Sequence, residues 1–178
     1  MIDTSRIELS RELFDGKNQD RSKLKSKPGI SEEIVRQISA EKDEPEWMLA
    51  KRLKALDWYQ KTSLPSWGPS LTDLDLEKII YYIRPDARES LTWDEVPEDI
   101  RNTFEKLGIP EAEREYLGGV GAQYDSDVVY HNIREDLKKQ GVIFENMDTA
   151  VKEYPDLVKK YFMTQCIPIN DHKFIMLH

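Results

Sequence analysis

Cys166, His172 and His178 stand six residues apart near the end of the chain, and one thiolate with two imidazoles is a donor set that suits zinc or iron. Equal spacing is not in itself a ligand motif. In an extended strand an even offset puts side chains on one face but sets them roughly 20 Å apart per six residues. Pro168 and the Asn170-Asp171 turn signal would fold them closer, yet ordinary structural roles are the plainer reading. Cys166 is the single cysteine, so an intrachain disulfide is excluded and a reducing compartment fits.

Three other groupings invite chemistry and are weighed the same way. His131 follows an apolar, β-branched run and precedes a helix-capping residue, with no second catalytic group marked near it, so it reads as a hydrogen-bonding end residue. Gly118-Gly119-Val120-Gly121 lacks the Gly-Lys-Ser/Thr ending of a phosphate loop and does not lead a strand into a helix. It reads as a flexible turn. Asp94, Glu95, Glu98 and Asp99 cluster where a helix is expected to begin, and attraction to the positive end of the helix dipole accounts for them. No residue is assigned a catalytic, cofactor-binding or metal-binding role.

Composition narrows the class. A formal charge of -8 over 178 residues, with a pI near 5.0, disfavours a phosphate-binding surface and hence a nucleic-acid partner. No run approaches the roughly 18 apolar residues needed to cross a bilayer, and the N-terminus lacks an apolar signal region, so a cytoplasmic location and no membrane partner are expected. Charged residues make up 34% and mean hydropathy is -0.67, but four Trp and eight Tyr are too many for a chain disordered throughout. One core with a polar arm is the expectation.

The elements that position these residues follow from capping and period. Residues 1–27 read as a polar arm, disordered or carrying a short helix around Ile7 to Phe14. Ser31 caps a helix from Glu32 to about Lys42 that buries Ile34, Val35 and Ile38, with Ile30 and Val35 as a hydrophobic staple. Pro45 at a first helical position opens a second, with Leu49, Leu53, Leu56 and Tyr59 on its inner stripe and Trp47 and Trp58 beside it; Leu64-Pro65 stops it. SLPSWGPSLT, Ser63 to Thr72, reads as a loop pinned by Trp67, and Leu76 to Pro85 is ambiguous between helix and strand.

Pro97 opens a third helix bearing Ile100, Phe104 and Leu107, ended by Gly108, and Pro110 a short fourth. Tyr124 to Tyr130 has the make-up of a strand, Asn132 caps a helix through Gln140, and Val142-Ile143-Phe144 reads as a second strand, which makes a strand-helix-strand unit. Met147 to Phe162 is helical with a restart at Pro155. KFIMLH, up to His178, is of strand type, and a pairing with Val142 to Phe144 would satisfy its ladder groups. The expected class is mainly α (α+β).

Four runs in this order, EPEWMLAKRLKA (Glu44–Ala55), GGVGAQYDSDVVYHNIREDLKKQGVIF (Gly118–Phe144), YPDLVKKYF (Tyr154–Phe162) and PINDHKF (Pro168–Phe174), resemble the SufB family of iron-sulfur cluster assembly scaffolds. The resemblance covers roughly residues 28 to 178. It implies a helical N-terminal domain over 28–165 and, at 166–178, the start of a β-helix core, of which this chain would be a truncated N-terminal part. The family works with a SufC-type ABC ATPase and a SufD-type paralogue, and its sulfur-accepting and cluster-ligating residues lie beyond the region matched here.

An iron-sulfur cluster normally takes four ligands, mostly thiolates, and one cysteine cannot supply them, so no cofactor is expected on this chain alone. The resemblance thus implies a noncatalytic packing or docking part of a scaffold, with some self-association through exposed apolar surface. An independent helical adaptor is the alternative. A small metal enzyme built on Cys166 and the histidines is a third reading.

Overall fold

The structure is a computed structural model describing residues 19–87, 89–106, 117–164 and 167–177. The chain divides into two compact units, each discontinuous in sequence: 23–84 with 145–178, and 1–22 with 85–144. The contiguous domain expected over 28–165 therefore runs through both. Two expected short helices, around Ile7 to Phe14 and from Pro110, lie outside the described residues, as does Gly108.

The first unit is built on two helices, α1 (Glu32–Glu41) and α2 (Glu46–Lys61). The Ser31 hydroxyl accepts from the Ile34 N–H at 3.4 Å and so satisfies one orphan donor of the first turn of α1, as the sequence leads one to expect. Pro45 is extended and sits one place earlier than expected, as the N-cap of α2, with its carbonyl taking the Met48 and Leu49 N–H groups. Val35, Ala55, Leu56 and Tyr59 form one buried cluster, against which Ile30, Leu49 and Leu53 pack. The expected stripe on α2 is thus only half right: Leu49 and Leu53 flank the core, while Met48 and Ala55 sit deep in it.

Met48, 2% exposed, belongs to a second cluster with Val151 and Val158, from α5 (Met147–Glu153) and α6 (Pro155–Tyr161). Pro155 does restart the helix as expected: its fixed φ suits a first-turn position and it has no N–H to leave orphaned. The ammonium of Lys42, at the end of α1, pairs with Asp148 at 2.6 Å, and Lys152 reaches Asp43 at 3.2 Å. These ties align α5 with the α1–α2 turn, where Asp43 takes the left-handed conformation that reverses the chain.

Leu76 to Pro85 resolves into both of its candidate forms. A 3-10 turn over Leu76–Lys78 is followed by β2 (Ile83–Pro85), which pairs with β1 (Ser22–Lys25), a strand inside the stretch expected to be a polar arm. Gly29, at φ +78, bridges to Ile80 after β1, where a side chain would meet the Glu77 carboxylate at 2.9 Å. Residues 63–72 form a loop as expected, but Trp67 does not pin it inward, being 80% exposed.

Within KFIMLH, the described residues Lys173–Leu177 are not a strand. Residues Lys173–Leu177 form a 3-10 helix, with Ile175 and Leu177 packed against the cluster around Val35. A turn just before it, Asp171 N–H to the Pro168 carbonyl, curls the chain back, so Ile175 and Leu177 find cover against a helix face and need no partner strand.

The second unit is organised by a hairpin of β3 (Gly119–Tyr124) and β4 (Asp127–Ile133), paired antiparallel with a bulge at Ala122/Gln123. Here the sequence misleads twice. The Gly118–Gly121 run is largely strand, not a flexible turn, and the expected strand Tyr124 to Tyr130 spans the actual turn, where Asp125 is left-handed. Asn132 stays within β4, and the following helix, α4 (Glu135–Lys139), starts later, after Arg134. Val142-Ile143-Phe144 is irregular, so strand-helix-strand gives way to hairpin-helix. Val96, Ile100, Ala122, Val129 and Tyr130 form the core, with Ile100 supplied by α3 (Glu98–Lys106). Small antiparallel sheets among six helices give an α+β chain over the described residues.

Met48→Ala should cost about 2–5 kcal/mol in chemical denaturation, since it removes a fully buried side chain shared by α2, α5 and α6. A loss below about 1 kcal/mol would mean that the second cluster is not a packed core.

Candidate functional site

Cys166 and His178 lie outside the described residues, so the structure brings together no Cys166–His172–His178 set. His172 is half-buried, edge-on to Trp67 at 6.2 Å and to Phe174 at 6.4 Å, with Asp171 at 3.9 Å. Its Nδ1 is buried without a hydrogen bond among the described groups. No group of three or more metal-ligating side chains occurs among the described residues.

His131 is 8% exposed in the middle of the hairpin's inner face, stacked on Phe144 at 4.8 Å and 22°. It was expected as a hydrogen-bonding end residue; its backbone N–H does bond to the Ser90 carbonyl, but its Nε2 has no partner among the described residues. Across the ladder stands Gly121, and a side chain at Gly119 would strike the Phe144 ring at 2.9 Å. Gly119 therefore serves close approach of an aromatic ring to strand backbone, a role that periodicity in sequence does not reveal.

Of the acidic cluster, only Glu98 and Asp99 stand at the start of α3, where the helix dipole favours them. Asp94 and Glu95 lie in a 3-10 turn (Trp93–Glu95), and Glu98 and Asp99 in the first turn of α3, with Arg101 near Asp94 at 3.6 Å and Arg21 near Asp99 at 3.5 Å. Neither pair is close enough or buried enough to suggest acid–base work.

Convergent polar chemistry lies instead in the first unit, around a cleft with about 50 Å³ of free space walled by Val35, Met48, Leu56 and Leu177. On α2, Lys51 donates to the Phe162 carbonyl at 2.6 Å and lies 5.4 Å from the Phe162 ring centre. Burial, and then repulsion from Lys54, hold its ammonium below the usual lysine range. Arg52 grips Glu44 through two bonds of 2.7 and 2.6 Å, and the Glu44 side chain is only 2% exposed. A bidentate pair of this kind neutralises both charges at the α2 N-terminus, where a carboxylate also meets the helix dipole.

At the other end of α2, Lys173 donates to the carbonyls of Tyr59 (2.6 Å) and Thr62 (2.9 Å) and lies 4.1 Å over the Tyr59 ring. Its charge meets the negative end of the helix. Tyr81 donates to the Leu76 carbonyl at 3.1 Å, which leaves its oxygen to accept from the Tyr59 hydroxyl at 3.2 Å. Burial first, then this bond to Tyr81, raise the Tyr59 pKa above the ordinary phenol value. None of Lys51, Arg52 or Lys173 was singled out in sequence as a site residue. The only signal was their place in two of the runs quoted above.

No protein-family model matches the chain, and no solved structure matches it. Curated proteins do. An iron-sulfur cluster assembly SufBD family protein of Staphylococcus saprophyticus is 49% identical over 161 residues, 90% of this chain and 34% of the relative. The iron-sulfur cluster assembly protein SufB of Bacillus subtilis is 47% identical over 161 residues, again 90% and 34%. A SufBD family protein of Mycobacterium leprae is 49% identical over 162 residues, 90% of this chain and 18% of the relative. The chain spans about a third of the length of the first two.

Lys173→Met should lower stability by about 1–2 kcal/mol and speed hydrogen exchange at the last turn of α2, through loss of charged hydrogen bonds to terminal carbonyls. Unchanged exchange there would refute the cap. For Tyr59 the folded pKa exceeds the unfolded one, so its contribution to stability is complete below about pH 10 and is lost as pH rises toward the folded value. Tyr59→Phe should flatten that alkaline loss in denaturation measured from pH 8 to 11.

With close to half its residues shared across nine-tenths of its length, the chain belongs to the SufBD family of iron-sulfur cluster assembly proteins.

Proposed function

We propose that this chain is a noncatalytic part of a SufB-like iron-sulfur assembly scaffold, acting by packing and docking, without ligating a cluster itself. The observation that carries the reading is the identity of 47–49% with SufBD proteins over 90% of the chain. Ligand arithmetic supports it, because one cysteine cannot furnish a thiolate-rich cluster site. Exposed apolar side chains in each unit, Trp67, Tyr161 and Ile167 in one and Leu91, Leu117 and Ile143 in the other, support a docking role.

Its partners on this reading are a SufC-type ABC ATPase and a SufD-type paralogue, and the cluster is cargo of the assembled scaffold. A cytoplasmic site of action goes with that role; no helix among the described residues is long and apolar enough to cross a membrane.

Anaerobic incubation of the chain alone with ferrous iron, sulfide and thiol should leave no stoichiometric cluster absorbance after desalting. One cluster per chain retained, and transferred to an apoprotein acceptor, would overturn the noncatalytic reading.

A further inference from the structure

Trp47, Lys51 and Lys54 fall at i, i+4 and i+7 of α2 and so share one face of the helix. α6 lies along that face: the Lys159 ammonium stands 5.2 Å from the Trp47 ring centre, and Lys51 donates to the Phe162 carbonyl. Lys51 is thereby spent. Lys54, near enough to repel the Lys51 charge, is exposed, as are Lys159 and Lys160. The Lys160 ammonium lies 4.9 Å from the centre of the Tyr161 ring, a residue 56% exposed.

In a chain of net charge -8 a cation has carboxylates in excess to choose from, and around this face the cations find them. Lys42 pairs with Asp148, Arg52 with Glu44, Lys61 with Asp57 and Lys152 with Asp43. Among the described residues Lys54, Lys159 and Lys160 pair with no carboxylate, although Glu46 and Asp156 stand on the same two helices. Three exposed ammoniums without local anions, beside an exposed aromatic ring, are complementary to carboxylates interspersed with an apolar side chain.

The patch is also short. Lys54 lies about 10 Å along α2 from Trp47, a span that about three extended residues cover. Beyond about one Debye length the field is that of the acidic chain, which repels a long polyanion or a charged membrane surface. We propose that the face of α2 and α6 carrying Lys54, Lys159 and Lys160 docks a short acidic segment of a partner protein, its carboxylates on the three ammoniums and an apolar side chain on Tyr161. This gives the docking role proposed above a surface and a partner chemistry, and rests on that reading only for the existence of a partner.

The test is fluorescence anisotropy of the full chain with a fluorescein-labelled peptide of repeated Glu-Glu-Leu triplets. The peptide should bind saturably, weaken as salt rises, and bind at least tenfold more tightly than its Gln-Gln-Leu counterpart. Lys54→Glu/Lys159→Glu/Lys160→Glu should weaken it at least tenfold; Gln at the same three positions, with a loss of at least fivefold, serves if the reversal does not fold. Lys23→Glu/Lys27→Glu/Lys78→Glu imposes the same charge change on exposed lysines elsewhere in the unit and should leave the affinity within twofold. Equal weakening by both triple reversals, no saturable binding to the unaltered chain, or tighter binding of a single-stranded oligonucleotide or of phosphatidylglycerol vesicles would overturn the proposal. Cluster formation is not read out in these titrations, so their failure would leave the scaffold assignment standing.

Discussion

The first unit depends on where the partial negative charge of its helix ends is neutralised. Lys173 sits on the last carbonyls of α2, and Lys51, projecting from α2, sits on the Phe162 carbonyl that closes α6. Each ammonium satisfies acceptors that would otherwise be left orphaned beside apolar side chains, and each ties a segment more than a hundred residues away in sequence onto α2. Burial of Val35, Leu56 and Met48 supplies most of the stabilisation, but it is non-directional. The lysines select the arrangement in which α6 and the C-terminal turn lie along the same helix.

Local signals made much of this legible from the sequence. Ser31 and Pro155 place helix starts because their side chains act within one turn, and the Pro/Gly-rich run at 63–72 breaks any period. What failed was decided by tertiary contact. The face of α2 was misjudged because α2 buries residues toward two clusters, so one stripe cannot describe it. KFIMLH has the content of a strand, but Ile175 and Leu177 are covered by a helical neighbour. Among the candidate residues, Glu98 and Asp99 follow helix electrostatics while Asp94 and Glu95 fall in a separate 3-10 turn, and the cleft is assembled from residues 30 to 177 and has no contiguous signature.

The hairpin unit shows the same division. Gly119 and Gly121 look like a turn because glycine is permissive, yet both lie in β3, one close beneath the Phe144 ring and the other opposite His131. The true reversal falls at Asp125, a residue tolerated in the left-handed region but not diagnostic of it. The Ser90 backbone bonds to Val129 and His131 along β4, so strand order here rests partly on a segment with no strand signal of its own.

Trp67 and Trp93 occupy opposite optical environments. The indole of Trp67 stands in water at the crest of a loop, while Trp93 is wedged between Phe104 and Tyr130, at 5.6 and 5.4 Å. Light emitted by the former is red-shifted by solvent relaxation and that of the latter is not. A protein settling over the loop would therefore announce itself as a blue shift in one component of the fluorescence, with no label attached to the chain.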